Sequence, residues 1–138
     1  MGEATSADAK RVVVWSTGGI GRLSIVAANE RPDLDLVGVW VHSEDKIGKD
    51  AGELANGVPN GVLTTNDVDA LLALEPDCVI YAASGPERDA GAIADYERIL
   101  AAGVNIVTTT STTLINPLGY VAAHRERLEA ATAAGGSS

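Results

Sequence analysis

The β-branched run Val12-Val13-Val14-Trp15 passes directly into Ser16-Thr17-Gly18-Gly19-Ile20-Gly21-Arg22, and this passage constrains the fold more than any other. It reads as a strand, a tight small-residue turn and the start of a helix. That order builds a phosphate cradle: small residues let backbone N–H groups approach a pyrophosphate, and the helix adds its free amides and positive dipole end. The spacing Ser16-x-Gly18-x-x-Gly21 matches the dinucleotide fingerprint with serine at the first glycine position. If that position needs a positive φ, the serine β-carbon costs about 1–2 kcal/mol, while its hydroxyl can serve a phosphate oxygen. On this reading Gly18→Val or Gly21→Val abolishes cofactor binding and leaves the secondary structure largely intact.

A chain of 138 residues has the length of one domain. Its net charge of −9 opposes nucleic acid and anionic membranes. No apolar run approaches the ~20 residues of a membrane span. The single cysteine, Cys78, lies in the apolar run Cys78-Val79-Ile80-Tyr81-Ala82 and reads as a structural thiol. Without a partner for a disulfide within the chain, a reducing, cytoplasmic setting is expected.

The pattern along the chain predicts a disordered leader over 1–10, a dinucleotide-binding domain over 11–134 and a linker or domain boundary at 135–138. Strands are expected at 11–15, 34–41, 62–65, 78–83 and 105–109, and helices at 19–30, 67–74, 86–102 and 117–134. The first helix is expected to face inward with Ile20, Leu23, Ser24, Ala27 and Ala28. Residues 42–61, rich in Gly, Asp, Lys and Asn, read as the loosest part, with one helical turn near 50–54. Strands alternating with helices make a Rossmann-type doubly wound parallel sheet in a single α/β domain. Its ligand crevice lies beyond the carboxyl ends of the strands.

Those ends carry the candidate site residues. Beside Ser16, Thr17, Gly18, Gly19, Ile20 and Gly21 stand His42 and Ser43 after the second strand, Ala83 and Ser84 after the fourth, and Thr109 and Thr110 after the fifth. NAD-selective domains place a carboxylate ~20 residues after the glycine turn. Here that place holds Val41-His42-Ser43, with Lys46 and Lys49 beyond it, so NADP is the preferred cofactor and NAD the other candidate. The neighbouring Glu44-Asp45 limits the expected preference to about tenfold. Trp15 and Trp40 read as core residues.

Taken together, Val14-Trp15-Ser16-Thr17-Gly18-Gly19-Ile20-Gly21, Asp35-Leu36-Val37-Gly38-Val39-Trp40-Val41-His42-Ser43, Lys46, Gly48, Asp50-Ala51-Gly52-Glu53-Leu54 and Asn105-Ile106-Val107-Thr108-Thr109 resemble one family. It is the amino-terminal domain of dihydrodipicolinate reductase-like proteins, in the branch with 2,4-diaminopentanoate dehydrogenase and the native amine dehydrogenases. The resemblance implies an NADP- or NAD-binding Rossmann domain serving hydride transfer at an imine or amine carbon, usually in a homodimer. It also implies a second domain, absent here, that holds a small-molecule substrate. In the pattern this resemblance implies, most relatives have glycine at the position of Ser16, and the native amine dehydrogenases carry a catalytic glutamate where this chain has Ser111-Thr112-Thr113. The other readings are a non-catalytic nucleotide-sensing or assembly module on the same fold, and an interaction domain that lost the cradle through Ser16.

Overall fold

A computed structural model describes residues 7–83, 89–116 and 122–138. Five strands form one sheet: β1 (Lys10–Trp15), β2 (Leu34–Trp40), β3 (Thr64–Thr65), β4 (Cys78–Tyr81) and β5 (Asn105–Thr108). Their order is β3-β2-β1-β4-β5, and every pairing is parallel. Helices α1 (Gly19–Glu30), α2 (Ala51–Asn56), α3 (Val68–Leu72) and α4 (Asp89–Ala101) run between the strands, and α5 (Ala122–Gly135) follows β5. This is the expected Rossmann-type α/β sheet. The expected starts of the last two helices, at 86–88 and 117–121, lie outside the described residues.

β1 is central because four consecutive residues, Val12 to Trp15, can all be buried only in a strand covered on both faces. Val12 and Val14 pack with Ile25, Ala28 and Ala51 of α1 and α2, while Val13 and Trp15 pack toward Leu71 and Ile93 of α3 and α4. The order runs from β1 to β2 and β3 on one side, then returns to β4 on the other. The reversal opens a crevice at the carboxyl ends of β1 and β4.

A bulge in β2 shapes that crevice. Val12 pairs with Leu36 but Val13 pairs with Gly38, so Val37 is an extra residue. An inserted residue reverses side-chain alternation. Leu36 and Val39 consequently share the α1 side, while Trp40 lies on the opposite side with Trp15. Strict alternation would have put Trp40 on the face of Leu36. The bulge instead stacks Trp40 on Trp15, with ring centroids 5.2 Å apart and planes 12° apart. Trp15 stacks in turn on Tyr81 at 5.6 Å, and Tyr81 meets Tyr96 edge-on at 4.8 Å. Gly38 permits the packing above the bulge, since a β-carbon there would lie 2.6 Å from Leu71 Cδ2.

Helix α1 departs from the sequence reading. Its inward residues are Gly21, Ile25 and Ala28, whereas Ala27 is exposed, Ile20 is 51% exposed and Leu23 67% exposed. The cause is a backbone contact: a β-carbon on Gly21 would lie 2.0 Å from Ser16 O. That close approach sets the rotation of the helix and turns its second apolar side outward. The neighbouring half of the same sheet face is also open, with Val107 59% exposed and Cys78 and Ile80 half-buried. Right-handed crossovers account for this, because they place α1 over one sheet face and α3 and α4 over the other.

At the end of the chain, the Ser137 hydroxyl donates to Leu100 O at 2.6 Å and Ile106 N–H donates to Ser138 O at 2.8 Å. The last residues therefore lie along β5, the edge strand of the sheet.

Candidate functional site

The turn after β1 is held in a conformation that an L-residue rarely adopts. Ser16 has φ 109°, a backbone cost of about 1–3 kcal/mol. Two hydrogen bonds hold it there: Ser16 N–H donates to Trp40 O at 3.0 Å, and Ser16 Oγ accepts from Gly18 N–H at 3.2 Å. Gly18 is the N-cap of α1, and no side chain caps the helix. The amides of Gly19, Ile20 and Gly21 thus open the first helical turn without intrahelical acceptors, and the dipole of a 12-residue helix adds positive potential to them.

In front of this turn lies a cleft of about 240 Å³. Ser16, Thr17 and Gly18 line one side, Trp40, His42, Ser43 and Lys46 another, and Ala83 closes the β4 end. Among the described residues no carboxylate lines it. Its polar contributors are hydroxyls, an imidazole and an ammonium group, a set that suits a phosphorylated ligand. Lys46 Nζ donates to Thr17 Oγ1 at 3.2 Å, and Arg22 Nε donates to Thr17 O at 3.2 Å. Thr17, 5% exposed, therefore has a cation on its side chain and another on its carbonyl. The His42 ring lies 6.0 Å from that of Trp40.

The segment carrying Lys46 differs from the loose loop expected for 42–61. A 3₁₀ turn at Glu44–Lys46 precedes the short helix α2, which is the helical turn expected near 50–54. Buried Thr64 holds the turn, its hydroxyl donating to Lys46 O and accepting from Lys49 N–H at 3.2 Å. Asp50 holds the far end by accepting from the N–H groups of Glu53 at 3.1 Å, Asn60 at 3.0 Å and Gly61 at 2.9 Å. Burial pushes the Asp50 carboxyl upward and is the largest single influence on it. The amides of Asn60, Glu53, Gly61 and Gly52 together outweigh burial and hold the group below its usual 3.8. Glycine and asparagine here are turn chemistry fastened by one carboxylate.

At the other wall, Thr110 Oγ1 donates to Ala83 O at 2.7 Å, tying the ends of β4 and β5 together. The Tyr96 hydroxyl reaches both Thr108 Oγ1 at 2.8 Å and Ser111 Oγ at 3.1 Å, which braces the same loop from inside. Thr109 is exposed.

Of the residues picked from sequence, the structure brings Ser16, Thr17, Gly18, His42, Ser43, Lys46 and Ala83 around one cleft. Gly19, Ile20 and Gly21 form the helical turn beside it, and Thr110 adjoins through Ala83. Ser84 lies outside the described residues. Sequence reasoning missed two residues. Arg22, next to Gly21, was legible as a cation at the cradle. Trp40 was assigned to the core, but it is only half-buried and lines the cleft, because the bulge at Val37 turns it there. Among the described residues no group of His, Cys, Asp and Glu is arranged to hold a metal ion. No helix among them is long and apolar enough to cross a membrane.

Comparison with known proteins agrees with this geometry. The family described as dihydrodipicolinate reductase, N-terminus, matches residues 10–116. An amine dehydrogenase of Streptomyces virginiae is 40% identical over 127 residues, which is 91% of this chain and 35% of the relative. The solved amine dehydrogenase of Mycobacterium smegmatis superposes with a TM-score of 0.81 at 25% identity, over 93% of this chain and 37% of that one. GenD2 from gentamicin A biosynthesis, solved in complex with NAD, shares the fold with a TM-score of 0.66 at 22% identity, over 99% of this chain and 35% of its own. The chain thus spans little more than a third of each of these proteins.

Proposed function

The chain belongs to the family of dihydrodipicolinate reductase N-terminal domains and is an NAD(P)-binding domain of that oxidoreductase type; from this premise we propose that it serves hydride transfer to or from an imine or amine carbon, with the substrate held by a second domain. The observation that carries this reading is the cleft at the strand ends, lined by Lys46 and by the uncapped start of α1 and, among the described residues, by no carboxylate. The nicotinamide supplies or accepts the hydride. This chain's residues bind and orient. The amides of Gly19, Ile20 and Gly21 hold the pyrophosphate, and Ser16 and Thr17 add hydroxyls. The loop braced by Tyr96 and Thr110 borders the nicotinamide end.

Proton transfer is assigned to the second domain, because the hydroxyl of Ser111 is tied to Tyr96 and lacks the basicity of a carboxylate near neutral pH. The exposure of Ile20, Leu23 and Val107 supports such a domain, since exposed large apolar side chains are candidates for burial against a partner. So does the length of the relatives.

Two experiments test the proposal. Titration calorimetry with NADH and NADPH should give saturable binding of about one nucleotide per chain. Grafting this domain onto the remaining two-thirds of the Streptomyces virginiae amine dehydrogenase should restore amine-dependent reduction of NAD(P)⁺. A folded chain that binds neither nucleotide overturns the coenzyme assignment. A graft that binds coenzyme and turns over neither amines nor imines overturns the reaction.

A further inference from the structure

Phenylalanine, the aromatic side chain that resists oxidation, is absent from this chain, whose aromatic residues are two tryptophans and three tyrosines. Both tryptophans and two of the tyrosines stand in one column. Trp40, Trp15 and Tyr81 are register partners across β2, β1 and β4, and Tyr96 of α4 meets the end of the row. Ring centroids along it are 5.2, 5.6 and 4.8 Å apart, so each ring touches the next. The column starts at the cleft, which Trp40 lines, and runs into the core, where Trp15, Tyr81 and Tyr96 are buried.

Packing alone needs neither an indole N–H nor a phenol, and both are placed here in a way that matters for one-electron chemistry. Trp15 Nε1–H is buried with no hydrogen-bond partner among the described residues. An oxidised indole is trapped by losing that proton, and Trp15 has nowhere to send it. The Tyr81 hydroxyl is the opposite case, donating to Asp95 Oδ2 at 2.6 Å, within the reach that proton transfer requires. Tyr96 beyond it shares its hydroxyl with those of Thr108 and Ser111, which are poor bases. Cys78, the chain's one thiol and a competing electron donor, packs on the other face of the sheet with Val12 and Val14.

We propose that Trp40, Trp15 and Tyr81 form a hole-transfer path that takes an oxidising equivalent from the cleft and stores it on Tyr81. The oxidant is a one-electron radical of the peroxyl or carbonate class that reaches Trp40. It gains one electron from the Trp40 indole, Trp15 returns one to Trp40, and Tyr81 returns one to Trp15. Tyr81 gives its hydroxyl proton to Asp95 as it gives up the electron. The net products are a reduced oxidant, a neutral phenoxyl radical and a protonated Asp95 carboxyl. Positive charge held on Trp15 in the core is costly without a partner, whereas departure of the proton removes it at Tyr81. The hole therefore moves inward, and Trp40 regains its electron before oxygen adds to its ring. The path is independent of which ligand the cleft holds.

Pulse radiolysis of the coenzyme-free, 138-residue chain tests the path, with azide radical as the probe because it oxidises indole in preference to phenol. Trp15 is fully buried, so the first indole radical forms at Trp40. Its visible absorption should decay as the phenoxyl band rises, with a rate constant independent of protein concentration. Tyr81→Phe removes one hydroxyl, keeps the ring and should abolish the conversion. Trp15→Phe should slow it severalfold, and the Tyr81 variant decides the matter if that replacement fails to fold by circular dichroism. Asp95→Asn keeps a hydrogen-bond acceptor but removes the base, and should slow the conversion, as should deuterium oxide on the wild-type chain. Tyr120→Phe, at the third tyrosine, should leave it in place. Under a steady flux of carbonate radical, mass spectrometry should find more oxidised Trp40 in Tyr81→Phe than in wild type. A rate that rises with protein concentration, or conversion that persists in Tyr81→Phe, overturns the proposal.

Discussion

Gly18 and Gly21 answer to different physical constraints, and substituting each with alanine separates a working cradle from an ordinary tight turn. A β-carbon on Gly21 would lie 2.0 Å from Ser16 O and 2.6 Å from Ser16 C, where ordinary contact begins at 3.4 Å. Helix and turn must therefore part by about 1.4 Å, and both sides of the contact are backbone. Overpacking of this kind costs about 1–3 kcal/mol, offset by at most ~1 kcal/mol from the better helix propensity of alanine. The expected net loss is about 1–2 kcal/mol, a fall in Tm of roughly 3–10 °C. At Gly18 the nearest atom to a new β-carbon is Ser16 Oγ at 3.6 Å, and φ −72° with ψ −168° suits any residue. Alanine is a poorer N-cap than glycine by less than about 1 kcal/mol, so Gly18→Ala should unfold within a few degrees of wild type. Gly18 lines the cleft, however, and on the proposed placement a methyl group there takes space from the pyrophosphate. Nucleotide binding should weaken at least about tenfold.

The assay pairs thermal denaturation with titration calorimetry on both variants. The sequence reading had both glycines failing alike, in binding alone; the structure divides the effects, with Gly21→Ala losing stability and Gly18→Ala losing only affinity. Unchanged affinity in Gly18→Ala would refute the placement of the pyrophosphate at this turn. Unchanged stability in Gly21→Ala would refute the backbone contact that orients α1.

Two further perturbations probe the walls of the cleft. Asp50→Asn replaces an acceptor of three amide hydrogen bonds with a group that donates on one side, and should cost about 1–3 kcal/mol at pH 7. Because the folded carboxyl is held below 3.8, its contribution is full above the unfolded value and fades as pH falls through the lower folded one. Denaturation from pH 7 down to 2 should show wild type and variant converging below about pH 4, and a gap independent of pH would contradict the amide cage. Trp40 is the cleft's own reporter, since Trp15 is fully buried behind it. NADPH should quench tryptophan emission saturably and Trp40→Phe should remove more than half of that amplitude; full quenching in the variant would place the ligand elsewhere.

Local signals carried much of this architecture. Val12 to Trp15 read as a strand from its β-branched run, and the nearly continuous apolar run at 34–41 read as a strand covered on both faces. Glycine spacing told of the cradle, and the helix marked by Ile93, Tyr96, Ile99 and Leu100 buries that stripe, as 3.6-residue periodicity requires. Hydroxyls and lysine at the strand ends could be named because the carboxyl edge of a doubly wound sheet is where its ligands lie. Non-local contacts decided the rest. Periodicity on α1 offered more apolar positions than one sheet face can bury, and the approach of Gly21 to Ser16 O chose among them. The β2 bulge carried no sequence mark beyond Gly38, yet it moved Trp40 across the sheet to the cleft. The turn after β2 read as loose because its glycines and asparagines lack apolar periodicity, while Asp50 and Thr64 fasten it through bonds to residues 10 to 18 positions away. Sequence determines which residues can be buried and where the chain can turn. Rotation of a helix, the register of a strand and the meeting of Arg22 with Lys46 at Thr17 depend on distant backbone surfaces, which exist only once the sheet has formed.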